Sequence, residues 1–224
     1  MNRMRRSRLK SLGITALLAM FTLPVIGANE ALSAAPVSVV EQTATSLQEK
    51  LSGQQKYYAA NIEELYALID DVLLPNFDIE YAGKLVLGKS HWMAASEEQR
   101  TRFVDAFYSF LIKTYAKGIL DFDQENLVIK PEANFSKDGK KAMVLTELVI
   151  DGGDNVQVNY SVRQSKGLWK IYDVRIEGVS YIQNYRSQFN AEITAQGIEA
   201  VITRLESEAA KAEALSAPGE VEST

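Results

Sequence analysis

The sequence contains no cysteine and a single histidine, His91, among its 224 residues. Without cysteine the chain forms no disulfide and offers no thiolate for a structural zinc site. One histidine excludes a His-cluster metal site, and no second element of a Ser-His nucleophile accompanies it. His91 stands next to Trp92, where a lone histidine is more often a packing or surface residue than a functional one. The sequence therefore offers little material for catalysis.

The first ten positions hold five of the 24 basic residues and no acidic residue. This charged start precedes a mostly apolar run over 12–27 and small residues near 27–35, the pattern of a secretory signal. The apolar run is short for a membrane span, so a cleaved signal is favoured over an uncleaved anchor. We predict a signal peptide over 1–33, with cleavage after Ser33 or, as a second option, after Ala28, and export to the periplasm.

The chain that remains after such cleavage has 19 basic and 28 acidic residues, a net charge of −9. This excess of acid argues against nucleic-acid binding and against docking on anionic lipid through a basic patch. The length predicts one domain over 34–207. Residues 208–224 are rich in Ala, Glu, Ser and Pro, which predicts a disordered acidic tail.

Apolar periodicity predicts about six helices. The longest begins at Ser96, where Gln99 completes a capping box, and its apolar stripe is wider than one face, so it must be covered on most sides. Asn61 and Glu64 predict a second helix start of this kind. The predicted helical segments are 36–51, 61–74, a short irregular or helical piece over 77–88, 96–117, 181–196 and a continuation after Gly197.

Four alternating strands joined by turn-rich links predict an antiparallel sheet, and hence an α+β fold. The strands are Asn126–Lys130, Lys141–Ile150, Val156–Ser165 and Leu168–Ile176. A three-residue hairpin over 165–167 sets the register of the last pair. The predicted opposite pairs are Tyr160 with Tyr172, Val158 with Val174, Val156 with Ile176, Val144 with Val162 and Leu148 with Val158. One face is then apolar, and the other, with Gln157, Asn159, Ser161, Arg163, Asp173 and Arg175, is solvated.

The apolar sheet face and the long helix together form the candidate binding surface. Apolar stripes are more often plain core than ligand cavities, so the residues alone leave both interpretations open. The sheet contributes Val144, Leu148, Val158, Tyr160, Val162, Tyr172 and Val174, and the long helix contributes Phe103, Phe107, Leu111 and Tyr115.

Residues 168–189 resemble the signature of a known family. The pattern is a Trp-x-x-Tyr-Asp-Val strand, then Glu-Gly-Val-Ser, then a helix with Asn-Tyr-Arg and Gln-Phe. It resembles the periplasmic phospholipid-binding MlaC family, also called the toluene-tolerance family. Residues 82–88 are similar to its Ala-x-x-Val-Leu-Gly segment and residues 98–115 to its Glu-Gln-Arg helix. The loop over 89–93 is one residue longer than in the family, and Met93 stands where a cation is common, so no role is carried over for that loop.

The resemblance implies a four-stranded curved antiparallel sheet of the NTF2-like type, surrounded by helices. It implies that acyl tails lie between sheet and helices, on the eleven residues of the candidate surface. It implies a protein that is not an enzyme, that holds no metal or cofactor, and that binds phospholipid as its cargo. The implied partners are an outer-membrane lipoprotein–porin complex and an inner-membrane ABC transporter with an MCE-domain subunit, between which the protein would shuttle lipid to maintain outer-membrane asymmetry.

Two other classes of protein remain as alternatives. An NTF2-like enzyme needs an acid–base pair inside the cone that its curved sheet forms. Asp173 with a neighbouring tyrosine is the one candidate pair, although the predicted register places Asp173 on the outer face of the sheet. A structural or adaptor protein of the periplasm would have a filled core and no ligand.

Overall fold

A computed structural model describes residues 27–121, 126–150 and 152–214. The predicted signal peptide therefore lies outside the described residues except for 27–33, and the predicted tail except for 208–214. The described residues form an α+β fold, as predicted, with seven helices and one antiparallel sheet of five strands in sequential order. The helices are α1 (Gly27–Leu51), α2 (Gln55–Ala60), α3 (Ile62–Leu73), α4 (Ile79–Ala94), α5 (Glu97–Ile119), α6 (Tyr181–Gln196) and α7 (Ile198–Ala214). The strands are β1 (Leu127–Phe135), β2 (Lys141–Leu148), β3 (Val156–Ser165), β4 (Leu168–Ile176) and β5 (Val179–Ser180).

The capping box predicted at the start of α5 is present. The Ser96 hydroxyl accepts a hydrogen bond from the Gln99 backbone N–H at 3.1 Å, and the Gln99 side chain accepts from the Ser96 N–H at 3.0 Å. The capping predicted at Asn61 is wrong, because its side-chain amide donates instead to the Tyr57 carbonyl of α2 at 2.8 Å. That carbonyl belongs to the short helix α2, which periodicity did not reveal, and it also accepts from the Asn61 backbone N–H at 3.0 Å.

The irregular piece predicted over 77–88 is the first half of α4. Gly88 adopts φ 71° and ψ 166°, which kinks the chain, and the helix then resumes to Ala94. A Cβ atom at Gly88 would stand 3.1 Å from the guanidinium of Arg186 on α6. The kink therefore needs glycine both for its positive φ and for the close approach of α6.

The last helix, α7, continues to Ala214 instead of giving way to a tail near residue 207. Alanine-rich sequence has high helix propensity, and ion pairs hold this segment on its neighbours. Arg204 of α7 binds Glu192 of α6 at 2.6 Å and Glu208 at 3.0 Å, and Lys113 of α5 pairs with Glu213. The hydrogen bond from Arg204 lowers the pKa of the Glu192 carboxyl.

The predicted register of the β3–β4 hairpin is wrong by one residue next to the turn and by two residues beyond a β-bulge. The turn has two residues, not three, and both have positive φ, 50° at Lys166 and 83° at Gly167, as a type I′ turn requires. A β-bulge then follows, because Val162 pairs with Ile171 while Ser161 pairs with Asp173. Tyr172 is the extra residue of this bulge, so it has no residue opposite it. Beyond the bulge, the pairs are Tyr160 with Val174 and Val158 with Ile176.

The β2–β3 register also differs from the prediction by two residues. Val144 pairs with Tyr160 rather than Val162, and Leu148 pairs with Val156 rather than Val158. The reason is that β2 ends at Leu148, two residues before the predicted end. A shift of two keeps every side chain on its predicted face, since alternation along a strand has a period of two.

The second sheet face is not solvated at its centre, contrary to the prediction. Ser161 is 4 % exposed and Asp173 is 6 % exposed. The segment before α4 covers this side, since the Asp78 backbone N–H donates to the Ile171 carbonyl and the Asp78 carboxylate binds Arg163 at 2.5 Å. The start of α6 covers Asp173 itself.

The buried apolar side chains form three separate clusters rather than one core. The first joins α4, α5, α6 and α7 around Phe103, Phe107 and Phe189. The second joins α1, α3 and α5 around Leu51, Leu65 and Ile69. The third packs α1 on the sheet and includes Val37, Val39, Val40, Ala142, Val144, Val162 and Ile171.

Candidate functional site: an apolar cavity between sheet and helices

A cavity of 480 Å³ lies where the three clusters meet. Its size falls within the range of about 300–1,000 Å³ that is usual for small-molecule sites. The walls are overwhelmingly apolar. The helical wall includes Val40, Ala44 and Leu47 of α1, Leu73 of α3, Ile79 and Ala82 of α4, Val104, Phe107, Leu111, Ile112, Tyr115 and Ile119 of α5, and Tyr181 and Ile182 of α6. The sheet side includes Leu127, Tyr160, Ile171, Tyr172, Asp173, Val174 and Ile176.

Six of the eleven predicted site residues line the cavity: Phe107, Leu111, Tyr115, Tyr160, Tyr172 and Val174. Five do not: Phe103, Val144, Leu148, Val158 and Val162. Phe103 is fully buried between the rings of Phe107 and Phe189, each 5.9 Å away between centroids.

Val144 and Val162 are fully buried in the cluster that includes Val37 and Val40, so α1 takes the place that the prediction gave to ligand. The paired sheet residues thus share a face as predicted, but only part of that face borders the cavity.

Apart from one carboxylate, the polar side chains in the wall are neutral hydroxyls that have partners or lie deep in the protein. The Tyr108 hydroxyl donates to Asp70 at 2.6 Å, and burial together with that carboxylate raises its pKa. The Thr43 hydroxyl donates to the Val39 carbonyl at 2.6 Å. Burial raises the pKa of the Tyr160 hydroxyl to about 12. These hydroxyls stay uncharged at neutral pH, so they suit an uncharged, apolar occupant.

Asp173 is the one carboxylate that lines the cavity. One of its oxygens accepts from the Ser180 hydroxyl at 2.7 Å, and the other accepts from the Ile182 backbone N–H at 3.1 Å. Arg175 Nε lies 3.7 Å away. The prediction that Asp173 lies on a solvated outer face is therefore wrong. Its carboxylate joins β4 to the start of α6, and a group occupied in this way is poorly suited to act as a general base.

Three tyrosines form a rim where α5 ends and α6 begins. Tyr115 is 43 % exposed, its hydroxyl lies 3.0 Å from that of Tyr185, and its ring lies 5.8 Å from the ring of Tyr181. Burial raises the pKa of Tyr181 and of Tyr185. Rings with one apolar and one polar end are common at such water-facing edges.

A protein-family model described as MlaC protein matches residues 41–207, about three quarters of the chain. The chain belongs to the MlaC protein family. The family resemblance of the sequence is thus confirmed.

Two curated relatives agree with the MlaC family match. The toluene tolerance protein ttg2D of Pseudomonas putida is 27 % identical over 177 residues, which cover 79 % of each chain. The intermembrane phospholipid transport system binding protein MlaC of Haemophilus influenzae is 24 % identical over 178 residues, 79 % of this chain and 83 % of its own.

A solved structure shows that the fold is also shared. The phospholipid-binding protein from Ralstonia solanacearum, in complex with a phospholipid, superposes with a TM-score of 0.70 at 24 % identity. The superposition covers 81 % of this MlaC-family chain and 99 % of that one.

The sequence contained a signal for the wall residues that the prediction missed. Val40, Ala44 and Leu47 belong to the apolar stripe of α1, and Ile79 and Ala82 belong to α4. Periodicity identifies such stripes but does not say which partner each stripe faces. In this MlaC-family fold the stripes of α1 and α4 face the cavity together with α5.

Two further properties of the described residues bear on function. Within 27–121, 126–150 and 152–214, no three His, Asp or Glu side chains lie close enough together to hold a metal ion. Every helix in this part of the MlaC-family chain is too short or too polar to span a bilayer.

Proposed function

We propose that this MlaC-family protein is a periplasmic phospholipid carrier without catalytic activity. The cavity carries the proposal: it lies between the sheet and the helices, and its walls are apolar side chains and neutral hydroxyls except for Asp173, whose carboxylate is hydrogen-bonded to the start of α6. The names of its relatives in Haemophilus influenzae and Ralstonia solanacearum support phospholipid as the occupant. The acyl tails would lie against Leu111, Tyr160 and Val174.

A carrier is needed because lipid does not cross water unaided. Exposing one CH₂ group to water costs about 0.8 kcal/mol, so two tails of about 15 carbons each cost on the order of 20–25 kcal/mol. An apolar cavity removes most of that barrier without any bond being made or broken.

Protein purified from cells without detergent should carry phospholipid. Native mass spectrometry should show one mass increment that organic extraction removes and that matches a diacyl phospholipid. The same spectrum should show a mature chain that begins between residues 28 and 36, as export through a cleaved signal requires. A chain that is empty under these conditions would favour an adaptor or an enzyme of this fold.

The proposed route runs between an outer-membrane lipoprotein–porin complex and an inner-membrane ABC transporter with an MCE-domain subunit. The net charge of −9 after residue 33 opposes docking on bare anionic membranes, because their surface potential is negative. Lipid held by apolar burial also leaves slowly by itself. We therefore propose that release requires a protein partner.

Transfer of labelled phospholipid to protein-free anionic liposomes should be slow and should accelerate when the transporter is present in the membrane. Liposomes with an unrelated membrane protein serve as the control for nonspecific disruption. Fast transfer to bare liposomes, unchanged by the transporter, would show that the protein delivers its cargo alone.

A further inference from the structure

A basic and aromatic cluster borders the cavity on the sheet side. It consists of Lys141 on β2, Arg163 on β3, Tyr81 on α4 and Tyr172 on β4. Lys141 and Arg163 are directly opposite each other in the β2–β3 register, so their side chains share one face of the sheet. The Lys141 ammonium donates to the Tyr81 hydroxyl at 2.8 Å. The Arg163 guanidinium lies 4.0 Å from the centre of the Tyr81 ring.

The charges in this cluster sum to a positive value although the whole chain is acidic. Arg163 is paired with Asp78 at 2.5 Å, and Lys170 lies directly opposite Arg163 on β4. Among the described residues Lys141 has no carboxylate partner, and its hydrogen bond to Tyr81 raises its pKa. Lys141, Arg163 and Lys170 therefore share one face of the sheet, and Lys141, which is not held by a carboxylate, is free to bind an anion.

Tyr172 connects the cluster to the cavity. Its side chain lines the cavity, and its ring meets the Tyr81 ring edge to face, with centroids 5.2 Å apart. The Lys141 ammonium lies 5.8 Å from the centre of the Tyr172 ring. Lys141 is itself exposed to solvent. The cluster thus runs from the apolar wall of the cavity to water.

We propose that Lys141 and Tyr81, supported by Arg163, bind the phosphate group of the lipid whose tails occupy the cavity. This inference rests on the proposed function and adds a headgroup site to it. The ammonium provides charge-assisted hydrogen bonds to phosphate oxygens. The Tyr81 hydroxyl accepts from Lys141 and keeps its own proton to donate. Selectivity then depends on the phosphate, which a lipid headgroup and free inorganic phosphate share.

The test compares two lipids with identical acyl chains, phosphatidylglycerol and diacylglycerol, competing for delipidated protein. Wild type should prefer phosphatidylglycerol. Lys141→Met, which keeps the apolar stem, should reduce that preference about tenfold, which corresponds to about 1.4 kcal/mol. Tyr81→Phe should reduce it in the same direction. Lys137→Met is the matched control, because it removes the same charge from an exposed turn, and it should leave the ratio unchanged.

The outcomes separate the headgroup site from the carrier function. If Lys141→Met and Tyr81→Phe load lipid with the wild-type ratio, the headgroup site is wrong and the carrier proposal stands. If wild type loads neither lipid, both fail. A third outcome is that inorganic phosphate binds wild type but not Lys141→Met, while the ratio of the two lipids is the same in both proteins. That outcome would identify a site for free anions and overturn the proposal. A preference that is lost in Tyr115→Phe instead would move the headgroup to the tyrosine rim and overturn it as well.

Discussion

Leu111→Asp should lower the phospholipid that co-purifies with the protein by at least about tenfold. Leu111 lies on the cavity side of α5, half-buried, in a wall whose hydroxyls are all neutral. Acyl tails that cover a new carboxylate would strip it of water and leave it unpaired, which costs several kcal/mol. Each 1.4 kcal/mol corresponds to a factor of ten in affinity. The empty cavity can admit water, so the fold should survive.

Thr101→Asp is the matched control, because it places the same charge on the exposed side of the same helix. It should carry lipid at the wild-type level. Lipid content is measured by native mass spectrometry on protein whose far-UV circular dichroism matches wild type. A folded Leu111→Asp protein that carries normal lipid would place the tails elsewhere.

Asp173→Ala should lower the free energy of unfolding by about 2–4 kcal/mol. The substitution leaves the Ser180 hydroxyl and the Ile182 N–H without their acceptor, and it removes the carboxylate beside Arg175. Buried donors and charges that lose a partner cost this much, because they cannot recover water. Urea denaturation should show a lower midpoint with an unchanged slope.

Asp105→Ala is the control for removing a carboxylate, since Asp105 lies on the exposed face of α5. Its unfolding midpoint should stay close to wild type. Asp173→Asn keeps one acceptor oxygen, so its unfolding midpoint should lie between those of Asp173→Ala and Asp105→Ala. Equal midpoints for all three variants would show that the Asp173 hydrogen bonds contribute nothing to stability.

The sequence predicted the elements of this fold better than their partners. Local patterns suffice for Ser96 with Gln99, whose capping box spans four residues, and for the existence of the four long strands, although β1 extends to Phe135, five residues past its predicted end. The extension of α7 to Ala214 was missed because it depends on ion pairs with α5 and α6, which are distant in sequence. The sequence predicted that α4 ends at Gly88, because a glycine can mark either a kink within a helix or the end of a helix.

The strand register needed information that alternation does not contain. A loop of two or three residues over 165–167 fits the same sequence, and the positive φ at Lys166 decided for two. The bulge at Tyr172 changes the alternation within β4, so that Ile171 and Asp173 pair on different faces. Asp173 keeps its predicted face, opposite Ser161, but the start of α6 covers that face, and alternation along a strand does not show which element covers it.

The sequence predicted only part of the cavity lining, because a pattern of apolar residues does not show what covers them. Leu111 and Tyr115 were found because a broad apolar stripe on α5 needs cover on several sides. Val144 and Val162 were included because an apolar strand face looks the same whether a helix or a ligand covers it. Only the tertiary placement of α1 on that half of the sheet distinguishes the two.

The division of the interior into three clusters gives the cargo a thermodynamic role. Each cluster presents side chains to the same cavity, for example Phe107, Ile112 and Ile171, so a ligand in the cavity contacts all three clusters at once. A ligand that binds the folded chain alone raises its stability by about 2.7 kcal/mol at a hundred times its dissociation constant. Lipid completes the interior in this sense. Under the proposed function, a carrier that has delivered its cargo should be a less stable protein, and its melting temperature should report whether it is loaded.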